Sequence, residues 1–304
     1  MIGVLNVNKP VGMTSHDVVA RVRRLAGERR VGHAGTLDPG ATGVLPLCLG
    51  PATRLAEYIG QTGKAYRAAV TFGIATDTLD AGGRETARVP VPGLGAEAVA
   101  AVLSRFRGEI EQVPPMVSAL KVGGRRLYEL ARQGVEVARA PRRVTVYRLE
   151  LVGYEPGEFP VAHLAVECSA GFYVRALAAD IGAALGVPAH LSGLVRHRVG
   201  PFSLEEAVAL EALEAGGVER YLLPPLRAVA HLPVVRLARD EVRAVRQGRP
   251  PRRPVAAEPP AWSGAGAREA ARDRVALVDP DGQLVAVARR DGSGGALALE
   301  KVLP

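Results

Sequence analysis

The sequence has few cysteines and lysines and lacks long apolar runs. Its two cysteines, Cys48 and Cys168, are too few and too far apart for a disulfide framework or a zinc site. No run approaches the roughly 20 apolar residues that a transmembrane helix needs. The first residues lack a basic segment followed by a long apolar one, so no secretory signal is expected. These absences predict a soluble, cytoplasmic protein that does not bind a membrane.

Several motifs of catalysis and nucleotide binding are also missing. The sequence contains no Gly-x-x-x-x-Gly-Lys-Ser/Thr phosphate loop, no Gly-x-Ser-x-Gly nucleophile elbow and no Cys/His cluster with metal-ligand spacing. The sequence therefore gives no sign of a bound nucleotide or metal.

Positive charge is abundant, and almost all of it comes from arginine. The formal net charge is +8, and the only lysines are Lys9, Lys64, Lys121 and Lys301. The planar fork of arginine suits phosphates, so this charge favours a nucleic acid as partner. A GC-rich genome would also produce such a composition, with its many Ala, Gly and Pro residues. Charge alone leaves the partner open.

Strand-like and helix-like segments alternate without the regular spacing of parallel βαβ units. "TSHDVVARVRRLAG" predicts a helix capped by Thr14 or Ser15, and "PATRLAEYI" and "SLEEAVALEALEA" predict two more. "VTVYRLELVGY" and "VAHLAVECSA" predict an antiparallel pair of strands. This pattern favours an α+β fold.

Two segments differ from the rest of the chain. Residues 112–142 are rich in Arg, with paired prolines and glycines, and indicate an excursion from the core. After about Leu232 the composition shifts, and "RVALVDPDGQLVAVARR" predicts a hairpin. We therefore expect one domain over residues 1–232 and a small β domain over residues 233–304, with residues 250–272 irregular.

The stretch "GHAGTLDPGATG", residues 32–43, places Asp38 among glycines, with His33 shortly before it. Asp-Pro-Gly is ordinary turn chemistry, but glycines also let a ligand come close to the main chain. A catalytic carboxylate in a partly dry site needs a cation to keep it ionised, and Arg175 in "SAGFYVRALAADIG" is the best partner by context. From these residues alone, a surface turn and a surface arginine remain alternatives.

These segments together resemble the TruB family of bacterial tRNA pseudouridine-55 synthases. "GVLNVNKPVGMTSHDVV", "GHAGTLDPGATGVLPLCLGPATRLAEY", "KAYRAAVTFGIATDTLDAGG", "QVPPMVSALKVGGRRLYELARQG", "CSAGFYVRALAADIG" and "AHLSGLVRHRVGPF" resemble the family's motifs in the family's order. The resemblance covers roughly residues 3–210. It implies a pseudouridine synthase fold with a mixed, mainly antiparallel central sheet flanked by helices. The tail more loosely resembles the PUA domain, a small RNA-binding β domain.

The resemblance implies isomerisation of uridine 55 in the T-arm loop of tRNA, with no cofactor. Asp38 would be the essential carboxylate, whether it attacks C1′, adds to C6 or removes the 2′ proton. Arg175 would pair with it, and Tyr66 would be the third catalytic residue, stacking on the flipped base and helping to remove the C5 proton. His33 would hold the flipped arrangement, and Leu194 would form an apolar wall. The other substrate-binding residues implied are Gly35, Thr36 and Tyr173, with Lys9, Arg125, Arg126, Arg132 and Arg142 as phosphate contacts.

The resemblance also implies tRNA as the partner, a monomeric enzyme and no obligatory protein partner. Three other functions remain open: a guide-RNA-dependent synthase of the dyskerin type, a tRNA-folding chaperone without catalysis, and a nucleosidase that releases uracil. Because the catalytic motifs all precede Phe202, deletion from Val234 onward is expected to weaken tRNA binding but spare activity on a T-arm stem-loop.

Overall fold

A computed structural model describes residues 1–304 except 119, 123, 128, 129, 131, 132, 134, 136, 252–255 and 291–295. The chain forms two compact units. The first unit contains Met1–Pro39, Gly43–Gly63 and Arg198–Pro304, and the second contains Gly40–Thr42 and Lys64–His197. Within the described part of the chain, no helix is long and apolar enough to span a bilayer.

The elements are numbered here in chain order. The strands are β1 Gly3–Lys9, β2 Val31–His33, β3 Thr42–Leu49, β4 Lys64–Phe72, β5 Ile74–Thr76, β6 Glu85–Arg88, β7 Gly108–Gln112, β8 Lys121–Val122, β9 Arg125–Arg126, β10 Arg142–Glu155, β11 Val161–Cys168, β12 Ala189–Val199, β13 Phe202–Ser203, β14 Val208–Ala209, β15 Val234–Arg236, β16 Arg274–Val278, β17 Leu284–Arg290 and β18 Leu297–Val302. The α-helices are α1 Ser15–Ala26, α2 Ala56–Gly60, α3 Ala96–Leu103, α4 Val174–Leu185, α5 Leu210–Gly216, α6 Arg239–Arg246 and α7 Ala267–Ala271. The 3-10 turns are Gly50–Leu55, Ser104–Phe106, Glu219–Tyr221 and Pro225–Val229.

In the first unit, β1 pairs antiparallel with β3 and parallel with β14, and β2 pairs antiparallel with β3. Helix α1 begins after Thr14, which forms a capping box with Asp17, and it ends at Gly27 in the left-handed region. Both signals are local in sequence, and the predicted helix is confirmed. The helix buries its valine face against these strands.

In the second unit, the strand order is β12–β4–β11–β10–β7. β4, β11, β10 and β7 pair antiparallel, which confirms the predicted pairing of residues 144–154 with residues 161–170. Helices α3 and α4 pack their apolar faces on this sheet in one buried cluster. Helix α4 ends at Gly186, which has φ 71° and so takes the left-handed conformation that suits glycine. The α+β class with a mixed, mainly antiparallel sheet is confirmed.

The predicted C-terminal β structure is present and belongs to the first unit. Its sheet has the order β15–β16–β17–β18, and β16 and β17 form the predicted hairpin, with Gly282 at φ 80°. Ala276, Leu284 and Leu303 share a buried cluster with Val4 and Tyr58. The contacts therefore group the tail with the N-terminal strands. The domain division at residues 232 and 233 stays a prediction.

Two predicted helices differ from the structure. "PATRLAEYI" begins as a 3-10 turn, in which the Thr53 hydroxyl donates to the Gly50 carbonyl at 2.7 Å, and only then continues as α2. "SLEEAVALEALEA" becomes helical only at Leu210, because Val208 and Ala209 pair with β1 as β14. Tertiary pairing here overrides local helix propensity.

Candidate active site

Asp38 lies on a loop whose main chain is fixed on both sides. The buried hydroxyl of Ser15, the first residue of α1, accepts a hydrogen bond from the Leu37 N–H at 2.8 Å and donates one to the Leu37 carbonyl at 3.1 Å. On the other side, the Pro39 carbonyl accepts a hydrogen bond from the Gly12 N–H at 2.8 Å. The Asp38 side chain is half-buried. The first unit therefore presents this carboxylate from a defined position.

Other predicted substrate-binding residues share this segment with Asp38. His33 ends β2, where it pairs with Leu47 of β3, and it is half-buried. Gly35 has φ 110°, a conformation that strains any residue with a side chain, and Thr36 is exposed. A glycine is therefore required at position 35, close to the Asp38 carboxylate, because the main chain there has a positive φ.

Lys9 differs from its predicted role as a phosphate contact. Its side chain is fully buried, and its ammonium donates to the carbonyls of Met13 at 2.6 Å, Pro10 at 2.8 Å and Pro39 at 3.4 Å. An ammonium enclosed in this way does not reach a phosphate on the surface. The structure corrects this prediction: Lys9 ties the turn after β1 to the residue that follows Asp38.

Tyr66 and Leu194 lie together in the second unit. Tyr66 is buried on β4, opposite Val166 of β11. Leu194 on β12 is half-buried and packs against the same apolar cluster that contains Tyr66. The two residues predicted to contact the base therefore belong to one apolar cluster.

Arg175 is buried, which removes the alternative of a surface arginine on a helix. Only 5% of its surface is exposed, and it lies in the first turn of α4. Its guanidinium donates to the carbonyl of Val117 at 2.8 Å and to that of Thr78 at 3.1 Å, and it lies 3.5 Å from the Asp80 carboxylate. Three directions of the planar fork are used, which a lysine ammonium could not reproduce.

Asp80 was not among the predicted site residues, but its carboxylate lies beside Arg175. Its Oδ1 accepts hydrogen bonds from the Thr78 hydroxyl at 2.7 Å and from the Gly82 N–H at 3.0 Å, and its Oδ2 faces Arg175. The loop thus holds this carboxylate in place as a partner for the guanidinium. The motif "TDTLD" pointed to the segment, but nothing in it assigned a role to its last carboxylate.

Two of the predicted phosphate contacts are exposed in the second unit. Arg142 begins β10, and Arg125 lies in β9, where it donates to the Gln133 side chain at 2.7 Å. The Arg126 side chain and the whole of Arg132 lie outside the described residues. Tyr173 immediately precedes α4 and is half-buried.

Burial changes the pKa values of two thiols and one ammonium. It raises the pKa of the Cys48 and Cys168 thiols to about 12, so neither is a thiolate at neutral pH. Burial, together with the positive charge of Arg196, lowers the pKa of Lys64 on β4 to about 8. The cysteines therefore do not supply a nucleophile.

The predicted residues fall into two groups by unit. The first unit carries Asp38 with His33, Gly35, Thr36 and Lys9, and the second carries Arg175 and Tyr66 with Leu194, Tyr173, Arg125 and Arg142. The pairing of Asp38 with Arg175 stays a prediction.

Similar solved structures define the class of this fold. The chain aligns with one from a Cbf5–Nop10–Gar1 complex at 31% identity and a TM-score of 0.73, over 99% of this chain and 85% of that one. A chain of an H/ACA ribonucleoprotein bound to a substrate RNA containing 2′-deoxyuridine gives 29% identity and a TM-score of 0.72, over 99% and 85% of the two chains. The fold is that of the pseudouridine synthases.

Sequence relatives give the family. Residues 23–174 match the N-terminal domain of the TruB family pseudouridylate synthases, and residues 175–229 match the C-terminal domain of tRNA pseudouridylate synthase B. A tRNA pseudouridine synthase B of Symbiobacterium thermophilum is 60% identical over 77% of each chain, and one of Moorella thermoacetica is 46% identical over 95% of this chain and 94% of its own. The chain belongs to the TruB family of pseudouridylate synthases.

Proposed function

We propose that this protein isomerises uridine 55 in the T-arm loop of tRNA to pseudouridine. Family membership supports the reaction, and the relatives named tRNA pseudouridine synthase B support tRNA as the substrate. The observation that carries the proposal is Asp38, half-buried on a loop that Ser15 and Lys9 hold on both sides. This is the arrangement that a single essential carboxylate needs.

The reaction is an isomerisation and consumes no second substrate. The N1–C1′ bond breaks, the uracil turns, and a C5–C1′ bond forms while the C5 proton is lost and N1 gains one. Asp38 acts on the nucleotide through one of three routes: attack at C1′, addition at C6 or removal of the 2′ proton. Arg175 pairs with the carboxylate and keeps it ionised, because a nearby guanidinium lowers the pKa of a carboxyl group.

The target base must leave the folded T-arm loop before it reacts. Flipping a base costs a few kcal/mol, which contacts in the pocket must offset. Tyr66 stacks on the flipped uracil, Leu194 lines the apolar side, and His33 holds the nucleotide in its flipped position. The apolar cluster that backs Tyr66 and Leu194 supports this assignment.

The tRNA backbone is held by arginines outside the pocket. Arg125 and Arg142 are exposed and lie in or beside the segment over residues 112–142 that the sequence marks as an insertion. Arg126 and Arg132 are proposed in the same role. Such contacts fix the position of an RNA and carry no sequence information.

The experiment uses the purified full-length protein and an unmodified tRNA transcript. Pseudouridine is mapped after incubation, with a transcript that has cytidine at position 55 and an Asp38→Asn protein as controls. The proposal expects modification at position 55 only, and only with the unaltered protein. Pseudouridine at another position would correct the target, release of free uracil would indicate a nucleosidase, and tRNA binding without any product would indicate a chaperone.

One observation favours a second function. The similar solved structures come from H/ACA assemblies, so a guide-RNA-dependent synthase shares this fold. The 60% identity with a relative named for tRNA weighs toward the first proposal. Conversion of the transcript by the protein alone, without guide RNA or partner proteins, distinguishes the two.

A further inference from the structure

Gln112 makes a reciprocal pair of hydrogen bonds with the main chain of Tyr173. The Tyr173 N–H donates to the Gln112 side-chain carbonyl at 3.0 Å, and the Gln112 amide nitrogen donates to the Tyr173 carbonyl at 3.2 Å. Gln112 is the last residue of β7 and is only 2% exposed. Among uncharged side chains only a primary amide supplies a donor and an acceptor in one plane for such a pair.

Tyr173 is the residue at which α4 begins. Its φ of −116° and ψ of 111° are those of an N-cap, but its own side chain makes no capping hydrogen bond. Its carbonyl accepts the first helical bond, from the Leu177 N–H at 3.1 Å. Helices usually have Ser, Thr, Asp or Asn at this position to fix their first turn. Here Gln112 fixes the first turn from a separate strand.

The same helix turn carries Arg175 and also contacts the insertion. Gln112 pairs with Arg142 across β7 and β10, so the insertion begins immediately after Gln112. Arg175 donates to the carbonyl of Val117, five residues further into that insertion. The start of the insertion and the start of α4 are therefore joined at two points.

We propose that Gln112 is a positioning residue for Arg175: by clamping the main chain of Tyr173 it sets where the guanidinium of Arg175 lies. This inference rests on the proposed function for its kinetic consequence. Gln112→Leu removes both hydrogen bonds, so the Tyr173 N–H loses its Gln112 acceptor and the Tyr173 carbonyl keeps only the helical bond from the Leu177 N–H. A displacement of about 1 Å at a catalytic group can cost roughly 100-fold in rate.

The test compares variants by single-turnover conversion of the transcript and by tRNA binding. Gln112→Leu is expected to lower the rate at least ~10-fold, with the dissociation constant for tRNA within about threefold of the unaltered protein. Gln112→Glu keeps the acceptor for the Tyr173 N–H and loses the donor, so its rate should lie between the rates of Gln112→Leu and the unaltered protein. It also serves if Gln112→Leu fails to fold. Tyr154→Phe is the matched control, because it removes a single side-chain bond to the Leu94 carbonyl in the same unit.

A double-mutant cycle separates positioning from general loosening of the fold. In an Arg175→Lys background, Gln112→Leu or Gln112→Glu should change the rate by less than about threefold, because the group that it positions has already been replaced. The inference would be overturned if the rate loss of the double mutant equalled the product of the losses in the two single mutants. It would also be overturned if Gln112→Glu had the same rate as Tyr154→Phe.

Amide hydrogen exchange tests the clamp independently of catalysis. The Leu177 N–H, which donates the first helical hydrogen bond of α4, should exchange faster in Gln112→Glu than in the unaltered protein or in Tyr154→Phe. Equal exchange in all three would refute the clamp even if the protein showed no activity. If exchange follows this expectation but the unaltered protein has no activity, the clamp stands and the proposed function is refuted.

Discussion

Nη2 of Arg175 donates a 2.8 Å hydrogen bond to the carbonyl of Val117, and Nη1 lies 3.1 Å from the Thr78 carbonyl and 3.5 Å from the Asp80 carboxylate. Arg175→Lys keeps the charge but cannot make these contacts together. We expect it to lower the single-turnover rate at least ~100-fold while tRNA binding changes little. Arg148→Lys, at an exposed arginine of the same unit, is the control and should leave the rate unchanged. An Arg175→Lys protein with full activity would refute the proposed role of the guanidinium.

Asp38→Asn is expected to abolish turnover and to leave tRNA affinity within a few fold. The amide preserves the shape of the side chain but neither attacks nor accepts a proton as a carboxylate does. Loss of such a group typically costs on the order of 10⁴ or more in rate. Asp281→Asn, at an exposed acid in the C-terminal hairpin, is the matched control. A rate within tenfold of the unaltered protein would mean that another carboxylate is the essential one.

tRNA binding should weaken with salt, because arginine contacts to phosphates release counterions. Four such contacts, from Arg125, Arg126, Arg132 and Arg142, would give a slope of log K against log[salt] of about −2.8 to −3.6. Arg125→Ala and Arg142→Ala should each make the slope shallower by about one unit. Lys9→Met should leave the slope unchanged and lower the melting temperature, because the Lys9 ammonium is enclosed by main-chain carbonyls. If Lys9→Met changed the salt slope and the two arginine variants did not, Lys9 and not the arginines would contact the phosphates.

His231 makes stability depend on pH. It is 1% exposed, and burial together with the charge of Arg274 lowers its pKa from 6.5 to about 4. The unfolded chain therefore binds a proton in this range that the folded protein excludes, so the free energy of unfolding decreases as pH falls from 6.5 to 4. The full effect is about 3 kcal/mol. Denaturant titrations at both pH values should show this dependence, and His231→Leu should reduce it. Equal pH dependence in both proteins would contradict the assignment.

Deletion from Val234 onward is expected to destabilise the first unit, in addition to the predicted loss of tRNA affinity with activity on a T-arm stem-loop spared. The Tyr58 hydroxyl donates to Glu300 at 3.1 Å, and Arg274 lies 5.5 Å from the Tyr58 ring centre. Leu284 and Leu303 pack in the same cluster as Val4 and Tyr58, so their deletion uncovers apolar side chains that stay in the first unit, and exposing each such side chain fully costs ~1.5–3 kcal/mol.

The melting temperature measures this effect. Several kcal/mol should lower it by about 10 °C or more in a unit of this size. Arg243→Ala, at an exposed arginine of α6, is a control that alters the tail and leaves the core intact. A truncated protein that melts within a few degrees of the full chain and converts the stem-loop would support the predicted division at residue 232.

Local signals predicted the parts of the fold that depend on neighbours in sequence. Helix α1 has its cap, its valine spacing and its terminal glycine within one short stretch, and its prediction is confirmed. The burial of Lys9 was not predictable, because one of its acceptors, Pro39, is brought to it by tertiary folding. Gln112 is 61 positions from Tyr173, and no pattern in either segment indicates that they meet.

The candidate site shows the same limit. Motifs identified Asp38 and Arg175 because the family resemblance assigns them roles. Asp80 was not predicted, because its contact with Arg175 depends on the direction in which Oδ2 points. The hydrogen bonds to Oδ1 determine that direction. Residue identity can be read from sequence, but the geometry of a carboxylate depends on contacts made after folding.

Val4 and Leu303 belong to one buried cluster, and this has a consequence for synthesis on the ribosome. Chains fold as they emerge, and the second unit runs without interruption from Lys64 to His197 apart from three residues. Strands β1–β3 of the first unit emerge before it but must wait for residue 303 before their packing is complete. During that interval their apolar faces are open to chaperones and to aggregation. A truncation that removes Leu303 is therefore expected to leave the apolar faces of these N-terminal strands partly exposed.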